Sequence, residues 1–234
     1  MKAAASIVGT IAVVVASAWW ARADDASAQV IASLERQIAE TERELQRIHD
    51  HDEIENLIGI YGYYVDKLQW DHVSDLFAED GTLELGLRGV YVGRQSIRRA
   101  LDLLGEQGPR RGWLNNHMQL QPVIHVAEDG LSAKVRSRAF IQVGEFGGRG
   151  DWGEGIYENE LVKQDGVWKF KSLHFFHTFG TEYDKGWAKD ARPAPPGVSD
   201  RIPPDRPPSM QFDLYPTVFV PSFHYENPAK GVGE

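Results

Sequence analysis

Four segments with strand-like character, 117–126, 133–143, 155–163 and 167–179, follow one another in this chain. Glu128-Asp129-Gly130 and Gln164-Asp165-Gly166 are turn sequences between two pairs of them. Consecutive strands joined by short turns pair antiparallel. Pro122 has no N–H to give a ladder, so the first strand is expected at a sheet edge or at a bulge. Helical patterns precede the strands. Ile54, Leu57, Ile58, Tyr61 and Val65 make one apolar face over 52–68. Trp70, Val73, Leu76 and Phe77 suit the buried side of a short helix ended by Ala78-Glu79-Asp80-Gly81. A hairpin over 82–92, turned at Arg88-Gly89, and a helix over 96–104 with Ile97, Leu101 and Leu104 inward complete this part. Helices first and strands afterwards predict an α+β domain, with helices packed on one face of a curved antiparallel sheet.

The two ends of the chain differ from this domain. Lys2, an apolar run over 3–20 and the small-x-small sequence Ala21-Arg22-Ala23 predict a signal peptide over 1–23. Its removal takes away two cations, Lys2 and Arg22, and moves the net charge from −9 to −11. The folded part is then secreted or periplasmic, without stable membrane association. An uncleaved membrane anchor is the alternative, since the run nearly suffices to span a bilayer. Segment 24–51 reads as an accessory amphipathic helix with the narrow stripe Ile31, Leu34, Ile38, Leu45 and Ile48. A coiled coil with a partner and an extension packed on its own domain are both open. Ten of the 12 prolines fall after Arg192, so 185–234 cannot form a long helix or a central strand. Phe212, Leu214, Tyr215, Val218, Phe219, Phe223 and Tyr225 would be costly to expose together. An extended, Pro-rich arm that docks its aromatics satisfies both facts. The main domain then covers 52–184, and assembly into a homo-oligomer is expected.

Composition narrows the chemistry. With no cysteine there is no thiolate nucleophile and no cysteine metal site. A net charge of −9 argues against a nucleic-acid binder. What remains for catalysis is carboxylate, imidazole and phenol.

The run Tyr64-Val65-Asp66-Lys67-Leu68-Gln69-Trp70-Asp71, then Leu76-Phe77, Asp80-Gly81, Gly93 with Ile97, and Asp165-Gly166-Val167-Trp168-Lys169-Phe170, resembles a known family. These are the SnoaL-like domains of the nuclear-transport-factor-2-like superfamily, and the resemblance covers about 52–180. It implies a cone of helices on a strongly bent sheet, closing over one apolar pocket. Members include dehydratases, isomerases, cyclases and plain binding proteins, so the fold alone does not give a function. The chain is similar to scytalone dehydratase at Asp66, whose counterpart is a catalytic carboxylate. It is also similar at Asn115-Asn116-His117, where that family has a catalytic histidine opening a strand. It departs elsewhere: the second catalytic histidine falls near Ile141, the serine near Gly155 and the asparagine near Tyr157. The dehydratase's substrate and full mechanism therefore do not carry over.

Asp66 lies at the margin of an apolar helix face beside Gly59 and Gly62. Two glycines in a helix need a reason, such as close packing or an open notch. In an apolar pocket the Asp66 pKa rises unless a partner holds the charge, and a histidine is such a partner. His117 at a strand start suits a proton shuttle near neutral pH. Asp66 and His117 are thus the expected acid/base pair, directly or through a water; an exposed carboxylate and a polar strand end are the plain alternatives. His174 and His177 lie three apart in a strand, so they point to opposite faces and cannot share a metal. With Lys169 and Lys171 outward, Trp168, Phe170, Ser172, His174 and Phe176 turn inward, which makes His174 the pocket candidate. Tyr63 and Tyr157 are expected to orient a substrate oxygen, with packing as the plain alternative. The six glycines over 144–155 lack a strand-then-helix frame, so a flexible loop by the pocket mouth is expected rather than a phosphate cradle. No metal and no cofactor are expected.

The resulting expectation is a lyase that eliminates water or formaldehyde from a small, hydroxylated, apolar or aromatic substrate. An isomerase or an apolar-ligand binding protein with the same pocket is the alternative. N-terminal sequencing of the exported protein is expected to start at Asp24; a start at Met1 would show an uncleaved anchor.

Overall fold

The computed structural model describes residues 2–190, 192 and 194–231, with side chains described from residue 27 onward. The expected signal peptide falls on side chains outside the described residues. Among the described residues no helix is long and apolar enough to cross a membrane. The chain divides into two units, Met1–His49 and Asp50–Glu234. Both take residues from one helix, α1 (Lys2–Asp66), so no new helix starts near Asp52. No proline and no glycine interrupts 24–58, and the residues there favour helix. In the first unit Ile31, Leu34, Ile38, Leu45 and Ile48 are all exposed.

In the second unit α1 buries the face predicted from its spacing: Ile54, Leu57, Ile58, Tyr61 and Val65. The elements that follow are α2 (Trp70–Asp75), β1 (Phe77–Leu85), β2 (Val90–Val92), α3 (Arg94–Leu101), β3 (Trp113–Val126), β4 (Ser132–Glu145), β5 (Gly150–Gln164) and β6 (Val167–Glu182). Six strands form one sheet in the order β2-β1-β6-β5-β4-β3, which does not close on itself. Strands β3 to β6 are antiparallel neighbours, as their short turns dictate, while β1 lies parallel to β6. This is the predicted α+β architecture. Trp70, Val73, Ile97 and Leu101 pack from α2 and α3 into the same core as Phe77, Leu83, Phe170 and Leu173 of the sheet.

Three local expectations change. Phe77 does not end a helix; it opens β1 opposite Phe170, and the ladder is irregular between Phe77 and Thr82. The glycine-rich segment is mostly strand, with only Phe146–Arg149 outside β4 and β5. Two of its glycines serve close approach: a Cβ on Gly144 would lie 2.8 Å from the Arg149 carbonyl oxygen, and one on Gly155 2.3 Å from the Phe175 ring. The third change is in β6. Phe170 pairs with Leu161 and Ser172 with Glu160, so Lys171 is an extra residue. Such a bulge reverses the in–out alternation beyond it. Trp168 and Phe170 face the main core as predicted, but after the bulge Leu173 and Phe175 do so. Pro122 behaves as predicted: β3 is an edge strand, with a register shift between Leu120 and Val123.

Among the described residues the segment after β6 forms no strand or α-helix, in keeping with its prolines, and docks in part. Phe212 and Leu214 are buried with Phe176, and Phe219 packs on them. Val218 and Phe223 stay exposed. Val90 and Arg206 form an antiparallel bridge, and the Tyr91 hydroxyl donates to the Ile202 carbonyl at 2.8 Å.

Asp50 is a buried carboxylate, 1% exposed. Lys163 Nζ lies 2.5 Å from its Oδ1, and the Trp168 indole N–H donates to the same atom at 3.0 Å. Without Asp50 the buried Trp168 N–H loses its acceptor and, among the described residues, Lys163 keeps only Glu53 as an ion partner, 3.7 Å away. Asp50→Ala is therefore expected to lower stability by about 2 kcal/mol, measured by urea unfolding at neutral pH.

Candidate active site

Helix α1 ends at Asp66 against the edge strand β3. Gly62 permits the approach, since a Cβ there would lie 3.0 Å from the His117 carbonyl oxygen. Gly59 meets nothing within 4 Å and borders an open recess shared with Tyr63 and Asp66. The two glycines thus serve the two purposes considered for them, one close packing and one a notch. Two hydrogen bonds lock the contact. Asn115 Nδ2 donates to the Val65 carbonyl at 2.8 Å, and the His117 backbone N–H donates to Asp66 Oδ1 at 2.5 Å. An edge strand has N–H groups with no strand partner, and a carboxylate is a strong acceptor for one. Burial raises the Asp66 pKa above the usual carboxylate range, with the His117 N–H pulling the other way.

The sheet and helices enclose a cavity of about 310 Å³. Leu85, Leu104, Ile141, Val143 and Phe175 are among its apolar walls, and its polar groups are Tyr61, Arg88, Asn115, His117, Tyr157 and His177. His117 Nε2 lies 2.7 Å from the Tyr157 hydroxyl, which in turn lies 3.4 Å from the Tyr61 hydroxyl. Burial pushes His117 down to about 4, so its imidazole is neutral at pH 7. Burial pushes Tyr61 up to about 12 and Tyr157 well above the ordinary phenol value, so both keep their protons. His177 is pushed down to about 3, first by burial and then by the positive charge of Arg88.

The structure brings some of the predicted site residues together and separates others. His117 and Tyr157 meet in the cavity. Asp66 touches His117 through the backbone and is not among the cavity's lining residues. Tyr63 is 76% exposed and lines the outer recess with Asp66. His174 lies on the opposite face of β6, stacked on Phe176 with ring centroids 3.8 Å apart and 3.7 Å from Glu84. The inward position expected of His174 is taken by His177, because the Lys171 bulge reverses the alternation. The sequence carries a trace of this: Phe170 and Leu173 are three apart where alternation requires two. The sequence marks Arg88 only as a turn residue, and nothing local in it points to a cavity.

An α+β cone with one largely apolar cavity and neutral acid/base groups defines the class, that of the nuclear-transport-factor-2-like proteins. The chain belongs to the SnoaL-like domain family, whose pattern matches residues 46–174, more than half of its length. Among solved structures it is similar to a protein of Novosphingobium aromaticivorans provisionally named a scytalone dehydratase. The identity is 24%, with 64% of this chain and 95% of that one covered and a TM-score of 0.53. A type 2 hexachlorocyclohexane dehydrochlorinase matches at 21% identity, over 66% of this chain and 99% of that one, with a TM-score of 0.51. These likenesses establish the fold. No curated protein sequence matches the chain.

The buried histidines make stability depend on pH. In the unfolded chain they protonate near 6.5, but in the fold only near 4 for His117 and 3 for His177. The unfolded state therefore binds more protons in the window from about 6.5 down to the folded values. Stability is complete above 6.5 and is lost as pH falls through that window. Each histidine contributes a slope of up to about 1.4 kcal/mol per pH unit. Urea unfolding between pH 6 and 5 is expected to show this loss, and His177→Gln to reduce its slope by about one proton's share.

Proposed function

We propose that the protein is a lyase that eliminates water, by acid/base chemistry, from a small hydroxylated substrate, largely apolar and aromatic. The observation that carries this is the His117–Tyr157 hydrogen bond inside an apolar cavity. A neutral imidazole can accept a proton, and a phenol with a raised pKa can donate one. With Nε2–H donating to Tyr157, the lone pair on His117 Nδ1 takes a proton from the substrate carbon. The electron pair of that C–H bond forms the double bond, and the C–O bond breaks. Tyr157 gives its proton to the departing oxygen and recovers one from His117 Nε2, so the substrate loses one water and His117 is left as its Nδ1–H tautomer; exchange with solvent after product release returns the proton to Nε2. Removing formaldehyde from a substrate with a terminal alcohol would begin at the hydroxyl proton and use the same groups. Asp66 acts through His117 in this scheme: it holds the strand N–H and so the height of the ring in the cavity. It is a positioning residue, and Tyr63 and His174 have no part in the chemistry.

The cavity volume suits one or two rings, being at the low end of the roughly 300–1,000 Å³ usual for ligand pockets. Two similar folds are named for eliminations, a dehydratase and a dehydrochlorinase, which supports the reaction class. The leader-like 1–23 supports action outside the cytoplasm. The test is turnover of a panel of aromatic β-hydroxy ketones, followed by the ultraviolet absorbance of the conjugated product. His117→Gln is expected to lower kcat/KM at least about 100-fold and Tyr157→Phe about 10- to 100-fold. Asp66→Asn is expected to lower kcat less than His117→Gln. Unchanged turnover in His117→Gln would remove the mechanism, and binding of the panel without turnover by the parent protein would make it a binding module.

A further inference from the structure

Arg88 sits in the turn between β1 and β2, and its side chain reaches the cavity wall. Among the described residues it has no ion-pair or side-chain hydrogen-bond partner. No aspartate or glutamate lines the cavity. A guanidinium stays charged under all ordinary conditions, and burying a charge without a partner is costly. Burial does work against it here, pulling the Arg88 pKa down. A second group close by is also unpartnered. Among the described residues the ring of His177, which lines the same cavity, makes no hydrogen bond: its Nδ1 is buried beside Gly86, which leaves Nε2 as the nitrogen to meet a ligand.

The turn holding Arg88 is braced from outside. Gly89, at a φ of 90°, packs so closely against Pro204 that a Cβ would lie 2.5 Å from that ring. The Val90 N–H donates to the Arg206 carbonyl at 3.0 Å, and the Val92 N–H donates to Asp205 Oδ2 at 2.7 Å. The proline-rich arm therefore holds the β1–β2 hairpin and keeps the Arg88 backbone in place. A half-buried charge held in place without its counter-ion is preorganised for a ligand of opposite sign.

We propose that the substrate carries a carboxylate, which Arg88 binds through its guanidinium fork, with His177 as a neutral hydrogen-bonding partner. This rests on the reading of the cavity as the substrate site and names the substrate class as an aromatic hydroxy acid. A carboxylate is preferred over a phosphate because its one negative charge is balanced by a single guanidinium, whereas a phosphate monoester carries close to two. A cavity of about 310 Å³ also leaves room for a ring beside it.

The test compares 1-naphthoate with its neutral counterpart 1-naphthylmethanol, in calorimetric titrations of the full-length protein at pH 7. The parent protein is expected to bind the carboxylate at least about tenfold more tightly. Arg88→Gln is expected to abolish this preference while keeping its affinity for the alcohol within about twofold, which also shows that the variant is folded. Arg88→Lys, which keeps the charge, is expected to retain part of the preference. Equal affinities in the parent protein, a preference that survives Arg88→Gln, or no binding of naphthoate at millimolar concentration would each overturn the proposal. A guanidinium that served only an oxyanion formed during turnover would give the first of these results. The same titrations in His117→Gln separate this proposal from the elimination mechanism. The carboxylate preference is expected to persist there, whether or not His117 is the base.

Discussion

The seal between the end of α1 and the edge strand β3 sets up the rest of the site. It is built from a missing side chain and two hydrogen bonds. Gly62 lets the helix reach the His117 carbonyl, Asn115 grips the last helical turn at Val65, and Asp66 takes the His117 N–H. An edge strand without such a cover would offer its free N–H groups to another chain. Here they fasten the helix, and the strand's pleat then turns the His117 ring toward the cavity. The carboxylate and the imidazole of one contact thus work on opposite sides of the backbone, one structural and one chemical.

The second organising feature is the bulge at Lys171. It divides β6 between two environments. One face gives Phe175 and His177 to the cavity, and the other gives His174 and Phe176 to the cluster covered by Phe212 and Leu214. The arm that covers this outer face also runs along β2 and supports the turn of Arg88. Its prolines suit that role, because an extended segment with few N–H groups can lie on a domain without joining its sheet. Inside the cavity, burial keeps the imidazoles neutral and the phenols protonated, while Arg88 keeps its charge. The cavity therefore combines proton donors and acceptors with one fixed positive charge and no acid.

Much of the fold could be read from local patterns. The apolar face from Ile54 to Val65, the order of strands 117–179 and the effect of Pro122 all follow from periodicity and from the chemistry of single residues. The site was legible only in part. Asp66 and His117 could be named as neighbours, but not that the backbone of one, rather than its ring, would meet the other. Tyr157 could be named from a family position, but not its hydrogen bond to His117. Strict alternation carried through Lys171 favours His174 over His177, and the bulge there reverses it. Local pattern puts Phe77 on the buried side of a short helix and the glycines over 144–155 in a loop, although pairing with other strands draws them into the sheet.

The sequence by itself determined most element types, the antiparallel run of the four later strands, the lack of thiol chemistry and the family, because these depend on residue spacing and composition. Tertiary structure alone decided which face each histidine occupies, which atoms of Asp66 and His117 meet, and that Arg88 faces a cavity without a counter-ion. The physical reason is that a bulge belongs to a pair of strands and a seal to a helix and a strand together. Burial, which sets the protonation of every group in the cavity, depends on all the elements that surround it.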